Sequence, residues 1–379
     1  MVKMRILIVT GEASGDLHGA NLARALRALR PGIEVLGVGG PKMREAGVEL
    51  VHGIEGLGVV GLLGLGQLRL VLHTYRVISR FLRETSLDAV VFIDNPGLNL
   101  ERLAPVAKRA GHRVIYYIAP QIWAWRPGRI NLIKRVVDRM IVILPFEEAL
   151  YRRAGVPCTF VGHPLLDAVA PAYDRSELRK RFGVEDGALV VGLLPGSRDS
   201  EIRALLPLMR EATGRLAERH SNLRAVLAQA SSVSDALLED CLAGAAVRPQ
   251  VVKDRPSEVM ACADLLLVAS GTATLQAAII GTPMVIVYRV GWPTYWVARL
   301  LVTVECLGLV NLVAGRKIVP ELIQRDATSD RLTQEAARLL EDPQAMGAMR
   351  TALRTVRESL GEPGASRRAA EAVLAECEA

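Results

Sequence analysis

The stretch DLLLVASGTATLQAAIIGTPMVIVYR (Asp264–Arg289) combines two continuous apolar runs with a helix-forming segment between them. Leu265–Ala269 and Met284–Tyr288 are predicted to be buried strands, because uninterrupted apolar strands are typical of a parallel sheet covered on both faces. Ala273–Ile280 is predicted to be the connecting helix, which the turn Ser270–Thr272 begins and a Gly-Thr-Pro break ends. The stretch therefore predicts a strand–helix–strand crossover in an α/β protein.

The turn that begins this helix is a candidate anion site. Its small residues leave backbone N–H groups pointing outward at a helix N-terminus, where the helix dipole favours negative charge, and phosphate is the usual occupant. An ordinary crossover without a ligand is the alternative, and this stretch alone favours it. The rest of the chain shifts the balance toward function.

Length and cysteine usage set the broad class. The chain of 379 residues exceeds one typical core, so two domains are expected. Its five cysteines have neither metal-ligand nor redox spacing, which predicts a reducing compartment and no structural zinc. The first residues are expected to form a strand and not a signal peptide. No apolar window reaches the length of a membrane-spanning helix.

The charge balance indicates an anionic partner. The net charge is +7 and the pI is about 9.3, which suits a nucleic acid, a membrane surface or a phosphorylated substrate. Aromatic residues make up only 4% of the chain, and no nucleic-acid-binding signature is present. Nucleic acid is therefore the least favoured of the three partners.

The first strand, Met4–Thr10, leads into a loop of unusual chemistry. The loop precedes a predicted helix over Leu17–Leu29 and carries Glu12, Asp16 and His18. Carboxylates at a helix N-terminus repel phosphate, so this loop is expected to hold sugar hydroxyls or an amine. Capping of the helix by Ser14 or Asp16 is the structural alternative.

A later strand, Leu87–Ile93, delivers Asp94 to its carboxyl end. Open α/β sheets place their ligand sites at these ends, which favours a functional role for Asp94. The alternative is that Asp94 only caps the helix that follows.

Two segments are candidates for contact with a membrane or with acyl chains. A glycine- and leucine-rich stretch (Ile54–Leu72) leads into a basic amphipathic helix (Leu68–Arg83), a combination that fits an anionic membrane surface. The alternative is a helix packed on the sheet with a solvated arginine face. Gly291–Val310, with tryptophans before an apolar run, is the second candidate, and core packing is its alternative.

One loop after a further strand, Val114–Ile118, combines aromatic and basic residues. Trp123, Trp125 and Arg126 are suited to stacking on a sugar or to an interfacial surface. They would serve equally well to close the edge of the domain.

A second α/β array begins near residue 188. A strand (Leu189–Leu194), a Pro-Gly-Ser-Arg turn and a helix (Ser200–Arg219) follow one another. Arg198 beside free N–H groups of that turn would bind a diphosphate well. We therefore expect a first Rossmann-like domain over residues 1–170 and a second over 187–335. A charged linker lies near Asp174–Asp186, and helices over 336–379 are expected to pack back on the first domain.

The motifs in this order resemble those of the lipid-A-disaccharide synthase family, glycosyltransferases of the GT-B architecture. The matching stretches cover most of residues 4 to 325 and are highly specific together. They are GEASGDLHGA (Gly11–Ala20), GVGGPKM (Gly37–Met43), FIDNPGLNL (Phe92–Leu100), APQIWAWR (Ala119–Arg126), LPFE (Leu144–Glu147), FVGHPLLD (Phe160–Asp167), LLPGSR (Leu193–Arg198), ASGTATLQ (Ala269–Gln276), PMVIVYR (Pro283–Arg289) and NLVAGR (Asn311–Arg316).

The resemblance implies two Rossmann-like domains whose parallel sheets face each other across a cleft. It also implies an inverting transfer from UDP-2,3-diacylglucosamine to the 6′-hydroxyl of 2,3-diacylglucosamine 1-phosphate (lipid X), which gives lipid A disaccharide 1-phosphate and UDP. Such an enzyme works as a peripheral protein on the cytoplasmic face of the inner membrane of Gram-negative bacteria. It needs no metal or other cofactor, and a homodimer is left open.

The resemblance and the local chemistry together give candidate roles. Asp94 is the candidate base, with Asp16 and His18 in reserve. The candidates for binding UDP and the donor sugar are Gly196, Ser197, Arg198, Ser270, Gly271, Thr272, Gln276, Arg289 and Asn311. The candidates for binding the acceptor or lipid are Glu12, Ser14, Gly15, Leu62, Leu63, Trp123, Trp125 and Arg126.

Two residues depart from the family pattern. Gln276 stands where the family usually has a glutamate for the ribose hydroxyls, and Gly97 stands where many members have an aspartate. These departures keep open a membrane-surface binding protein without turnover. Two enzymes of the same fold, an epimerase and a peptidoglycan-type transferase, are further alternatives.

Overall fold

The structure, a computed structural model, describes residues 3–54, 65–124, 126–289 and 306–378. The chain divides into two compact units. The first contains the chain up to Pro164 together with the segment from Leu360 onward, and the second runs from Leu165 to Ser359.

The first unit is built on a seven-stranded parallel sheet in the order β3-β2-β1-β4-β5-β6-β7. Its strands are β1 (Arg5–Val9), β2 (Glu34–Gly39), β3 (Glu49–Gly53), β4 (Ala89–Ile93), β5 (Arg113–Tyr117), β6 (Arg139–Val142) and β7 (Cys158–Phe160). The strand order reverses between β1 and β4, which pair in register from Ile6 with Ala89 onward. That reversal opens a crevice at the carboxyl ends of the two strands.

Helices cover both faces of this sheet. They are α1 (Ala13–Leu29), α2 (Pro41–Glu45), α3 (Leu65–Glu84), α4 (Ala104–Arg109), α5 (Ile130–Val136) and α6 (Pro145–Arg153), with a π-helical turn at Asn99–Leu103 and a 3₁₀ turn at Pro127–Arg129. Side chains of β1 alternate between two buried clusters. Ile8 packs with Leu22 of α1 on one face, and Val9 packs with Ile78 and Leu82 of α3 on the other.

The second unit is built on a six-stranded parallel sheet in the order β10-β9-β8-β11-β12-β13. Its strands are β8 (Leu189–Leu194), β9 (Leu223–Gln229), β10 (Gln250–Lys253), β11 (Leu265–Ala269), β12 (Met284–Tyr288) and β13 (Glu321–Ile323). Its helices are α7 (Leu165–Ala168), α8 (Arg175–Arg181), α9 (Asp199–Arg219), α10 (Asp235–Leu242), α11 (Pro256–Cys262), α12 (Thr272–Ile280), α13 (Leu309–Ala314), α14 (Ser329–Glu341) and α15 (Pro343–Ser359). The order reverses between β8 and β11, so this sheet has its own crevice at the ends of those strands.

The charged stretch expected to be a linker is instead part of the second unit. Arg175 and Arg179 of α8 contact the carboxylate of Asp264 at 2.5 and 2.7 Å. That carboxylate also accepts a hydrogen bond of 2.8 Å from the backbone N–H of Val190 in β8. The acidic residue before β11 therefore fastens α8 to the sheet.

The C-terminal helices are divided between the two units. Helix α15 packs on α12 and α13 of the second unit, whereas a last helix, α16 (Ala365–Glu378), packs on α1 of the first. Glu376 of α16 is buried and contacts Arg113 at 3.3 Å and Arg139 at 2.6 Å. These ion pairs join α16 to the ends of β5 and β6.

None of the helices in the described part of the chain is both long enough and apolar enough to cross a membrane. In α3 the basic residues lie on one exposed face, at the helical spacing of Arg69, His73, Arg76, Arg80 and Arg83. The glycine-rich stretch before it falls mostly outside the described residues, and so does most of Gly291–Val310.

Candidate functional site

The carboxyl edge of the first sheet brings together residues that are far apart in sequence. Glu12 follows β1 and Asp94 follows β4, and these strands are neighbours at the point where the sheet order reverses. The structure therefore places Asp94 and Glu12 in the crevice where doubly wound sheets bind ligands.

Asp94 is held in an uncommon backbone conformation. Its φ is +46° and that of Asn95 is +47°, in the left-handed region that L-residues rarely adopt. The Asp94 carbonyl accepts hydrogen bonds from the Tyr116 hydroxyl at 2.6 Å and from Asn99 Nδ2 at 3.0 Å. The Asp94 N–H donates to the carbonyl of Tyr117 at 3.2 Å. These contacts offset the backbone strain and fix the direction of the carboxylate.

The surroundings of Asp94 favour its protonated form. Burial raises the pKa of the carboxyl, the nearby Glu12 carboxylate raises it further, and a hydrogen bond from the Asn95 backbone lowers it. A carboxyl whose pKa moves toward neutrality accepts a proton more readily in a reaction step.

Helix α1 begins at Ala13, four residues before the predicted start. Ser14 is exposed in its first turn, and Gly15 is buried there, where a Cβ would approach the Cβ of Thr10 to 3.1 Å. Ser14 is therefore accessible to an acceptor substrate, whereas the absence of a side chain at Gly15 allows α1 to pack closely on β1.

Asp16 has a structural role, which corrects its reserve assignment as a base. Its side chain is buried, and its carboxylate accepts hydrogen bonds from the N–H groups of Gly40 at 2.7 Å, Lys42 at 2.9 Å and Met43 at 3.1 Å. It thus caps the N-terminus of α2, whereas the structural alternative named α1 as the capped helix.

His18 lies on the inner side of α1, close to β5. Its ring stands edge-on to Tyr117 with centroids 6.5 Å apart, and among the described residues its buried Nδ1 has no hydrogen-bond partner. Burial lowers the pKa of His18. Burial and the nearby His18 lower the pKa of His163 to about 4, so burial favours the neutral form of both rings.

The tryptophan loop after β5 is tied to α6 by a carboxylate that the sequence reasoning missed. Glu147 is 1% exposed and accepts hydrogen bonds from the Trp123 indole N–H at 3.0 Å and from the Leu144 N–H at 3.3 Å. Burial raises the pKa of Glu147 to about 7, against the opposing effect of the Trp123 bond. Phe146 packs edge-on against Trp123 at 5.1 Å.

The other residues predicted to contact acceptor or lipid have mixed outcomes. Arg126 is exposed, in left-handed backbone with φ +56°, and its guanidinium lies 3.5 Å from the carboxylate of Glu101. Trp125, Leu62 and Leu63 lie outside the described residues.

The second unit has a cavity of about 550 Å³ at the carboxyl ends of β8 and β11. Its lining includes the residues predicted to bind UDP that follow these strands, namely Gly196, Ser197, Arg198, Ser270, Gly271, Thr272 and Gln276. Gly271 has φ +148°, and among the described residues no side chain caps α12, which begins at Thr272. The helix dipole and the first N–H groups of α12 therefore favour an anion in this cavity.

The N–H groups after β8 were expected to be free, and this expectation is wrong. The carboxylate of Glu201 accepts hydrogen bonds from the N–H groups of Ser197 at 3.0 Å and Arg198 at 3.3 Å. The same carboxylate contacts the Arg198 guanidinium at 3.0 Å. An internal anion thus occupies the donors that we had assigned to the diphosphate.

Two cavity residues have partners within the protein. Gln276 Nε2 donates to the Ser257 hydroxyl at 2.6 Å, and the Ser270 hydroxyl donates to the carbonyl of Leu307 at 3.3 Å. The amide oxygen of Gln276 retains its capacity to accept a hydroxyl of a ligand.

Asn311 corrects a second assignment. It is 1% exposed, and its Nδ2 donates to Val319 O at 3.0 Å and to Glu321 Oε1 at 2.7 Å. Its Oδ1 accepts from the N–H groups of Ile318 and Val319. The side-chain amide of Asn311 thus connects α13 to β13 and to the residues just before it. Its nitrogen and oxygen both have partners within the protein, so neither is available to the donor sugar nucleotide.

Arg289 is exposed directly after β12 and is not among the lining residues of the cavity in the described part of the chain.

The described residues contain no group of three His, Cys, Asp or Glu side chains arranged to hold a metal ion. The positive groups of the second cavity come instead from the α12 N-terminus and Arg198.

Comparison with protein families gives a match over almost the whole chain. The family model described as Lipid-A-disaccharide synthetase matches residues 6–375. The lipid-A-disaccharide synthase of Geobacter sulfurreducens is 44% identical over 371 residues, which are 98% of this chain and 96% of the relative. That of Trichlorobacter lovleyi is 45% identical over 371 residues, with 98% and 97% covered.

Solved structures share the fold at low identity. The UDP-GlcNAc 2-epimerase of Neisseria meningitidis, bound to UDP-GlcNAc, aligns with a TM-score of 0.65 at 12% identity, over 98% of this chain and 100% of that one. The calicheamicin glycosyltransferase CalG4 aligns with a TM-score of 0.62 at 17% identity, over 100% and 99%. The predicted class of two Rossmann-like GT-B domains is thereby confirmed.

Proposed function

Because this chain belongs to the lipid-A-disaccharide synthase family of glycosyltransferases, we propose that it joins UDP-2,3-diacylglucosamine to lipid X with inversion at the anomeric carbon. The products would be lipid A disaccharide 1-phosphate, with a β-1,6 bond, and UDP. The family supports lipid A disaccharide synthesis itself, and the proposal adds the two substrates, the stereochemistry and the residue roles.

The observation that carries the proposal is the setting of Asp94. A half-buried carboxyl with a raised pKa, on a residue whose backbone makes three hydrogen bonds at the reversal point of the first sheet, suits proton abstraction from a hydroxyl. Asp94 would take the proton of the acceptor 6′-hydroxyl while that oxygen bonds to the anomeric carbon. The bond from the anomeric carbon to the diphosphate would break in the same step, and UDP would leave with the electron pair.

The second unit supplies the groups that this step needs on the donor side. The uncapped N-terminus of α12 and the Arg198 side chain are suited to the negative charge that grows on the departing diphosphate. Gln276 lines the same cavity and is the candidate for a ribose hydroxyl, through its amide oxygen. The N-terminus of α12 is preorganised by the fold, whereas Arg198 contacts Glu201 at 3.0 Å and would have to turn to the diphosphate.

On the acceptor side, Glu12 and Ser14 lie at the same sheet edge as Asp94, and His18 lies next to them on α1. Glu12 would raise the basicity of Asp94 and accept a hydrogen bond from a sugar hydroxyl, and His18, whose Nδ1 has no hydrogen-bond partner among the described residues, would contact the same sugar. Trp123, held by Glu147, offers an aromatic face for the sugar ring.

Attachment to the inner membrane, on its cytoplasmic face, is part of the proposal. The exposed basic face of α3 supports it, since five basic residues at helical spacing attract anionic headgroups. Replacing Arg76 and Arg80 by Gln should weaken binding to anionic vesicles and leave binding to neutral vesicles unchanged. Equal binding of the variant and the unmodified protein to anionic vesicles would contradict this attachment.

The reaction is tested by supplying UDP-2,3-diacylglucosamine in detergent micelles, with and without lipid X. The proposal expects UDP release only when lipid X is present, together with a disaccharide whose mass is that of the two substrates minus UDP. Release of UDP without lipid X, or a donor sugar changed in configuration, would indicate an epimerase-like reaction instead. Binding of UDP without any release would indicate a binding protein.

A further inference from the structure

The loop after β8 contains an arrangement that the proposed reaction does not use. The carboxylate of Glu201 lies over the loop and contacts three donors, the N–H groups of Ser197 and Arg198 and the Arg198 guanidinium. A Cβ at Gly196 would overlap the Glu201 carboxylate, and the φ of Gly196 is +113°, so only glycine permits this approach.

Helix capping accounts for only part of this arrangement. Glu201 is the third residue of α9, and an acidic residue there commonly accepts the N–H of the residue that precedes the helix. In a reciprocal capping box the preceding side chain accepts a bond in return, but that residue is Arg198, which has donors only. Its guanidinium turns back onto Glu201 instead, although its side chain is 73% exposed.

The three donors held by Glu201 are the kind that bind phosphate. Two adjacent N–H groups and a guanidinium form a compact anion site, and both Arg198 and Glu201 line the cavity that holds the α12 N-terminus. A diphosphate entering this cavity meets donors that a carboxylate already occupies. One anion must leave before the other can use them.

Resting on the proposed function, we infer that Glu201 is an internal competitor of the donor's diphosphate. In the donor-free protein it holds the Ser197–Arg198 loop and the Arg198 side chain, and it exchanges places with the diphosphate when the donor binds. The exchange lowers the affinity for UDP, because the free energy of the internal contacts is lost on binding. After the transfer, the return of Glu201 to its contacts speeds the departure of UDP.

The variant Glu201→Gln separates competition from capping. Glutamine keeps the length of the side chain and one acceptor for the loop N–H groups, but it loses the charge. We expect UDP to bind to E201Q roughly fivefold more tightly than to the unmodified protein, the size of one partly exposed charge-assisted contact, and to dissociate more slowly. Calorimetry gives the Kd and stopped-flow release gives the rate.

Glu211→Gln is the matched control. Glu211 lies on the same helix, forms an ion pair with Arg215 at 2.7 Å, and is not among the residues that line the cavity in the described part of the chain. Loss of this charge should leave the Kd for UDP unchanged. If UDP bound more tightly to E211Q by the same factor as to E201Q, the effect would come from the change in net charge, and the inference would be overturned.

The outcomes also distinguish this inference from the proposed function. If the unmodified protein binds UDP and folded E201Q binds it equally well or more weakly, Glu201 only stabilises the loop conformation. The inference that Glu201 competes with the diphosphate would then be wrong. If neither protein binds UDP, the donor site itself is wrong, and the proposed function fails with it.

Discussion

The carboxyl edge of the first sheet and the carboxyl edge of the second sheet have the same topology and opposite chemistry. At the first edge Asp94 and Glu12 give a half-buried acidic centre, and hydrogen bonds to the left-handed backbone of Asp94 hold it in place. At the second edge Gly271 begins an uncapped helix at a cavity of about 550 Å³, beside the exposed Arg198. The doubly wound fold thus determines where each site lies, and a few residues after the strands determine the charge that it attracts.

The difference extends to packing. Next to Asp94 the side chain of Asn95 packs closely against Gly11, whereas the second edge has a cavity lined by two acidic residues, Glu201 and Asp254, of which Glu201 contacts the Ser197–Arg198 loop. This suits a division of labour in which the first edge must hold a proton acceptor in one geometry and the second must admit and release a nucleotide.

The largest expected effect on this comparison of the two sheet edges concerns Asn311, which lies in the second unit and has a structural role. Replacing Asn311 by Ala should lower the free energy of unfolding by roughly 3 kcal/mol, because several buried polar groups lose their partner. Thermal unfolding measures the loss, and the exposed Asn222→Ala serves as control. A large loss of UDP affinity with an unchanged Tm would instead make Asn311 a ligand contact.

The next effect concerns the tight packing at the first edge. A Cβ at Gly11 would overlap the carboxamide of Asn95, the residue that shares the left-handed turn with Asp94. Gly11→Ala should therefore displace Asp94 and reduce turnover roughly 100-fold, as small misplacements of catalytic groups do. Gly97→Ala, in the same loop, meets no atom within 4 Å and should retain turnover. Equal turnover of both variants would show that the packing is not needed for catalysis.

A smaller effect concerns Glu147 and its pKa of about 7. Because the folded-state pKa is raised, the neutral carboxyl stabilises the fold fully below the unfolded-state pKa, and this contribution is lost as the pH rises through about 7. Glu147→Gln cannot titrate, so the stability advantage of the unmodified protein over E147Q should shrink by about 2 kcal/mol from about pH 5 to about pH 8. If the difference in Tm between the two proteins were the same at both pH values, the raised pKa of Glu147 would be contradicted.

The central elements of both sheets could be predicted from the sequence, because their strands are continuous apolar runs. The bounds of β8, β11 and β12 match the predicted ones. The edge strands β3, β7 and β13 were missed, since short strands such as Glu49–Gly53 contain polar residues and carry no clear periodicity. The placement of Asp94 followed from its strand, because parallel sheets put such residues at a common edge.

Residue roles were harder to predict, because long-range contacts decide them. Asp16 caps a helix that begins 25 residues later, and Trp123 binds a carboxylate 24 residues away. Asn311 looked like a polar cleft residue until its partners around Val319 and Glu321 were known. Spacing alone indicates where polar groups lie, but it does not tell whether ligand or protein satisfies them.

The most direct test of the division of labour measures UDP affinity and turnover together in Asp94→Asn and in Arg198→Ala. We expect Asp94→Asn to bind UDP within about twofold of the unmodified protein while turnover falls roughly 1,000-fold, as for loss of a general base. Arg198→Ala should weaken UDP binding roughly tenfold, as for loss of a charge-assisted contact. Near-normal turnover of folded Asp94→Asn, or a parallel loss of UDP binding and turnover in it, would contradict the assignment of base and donor site to separate units.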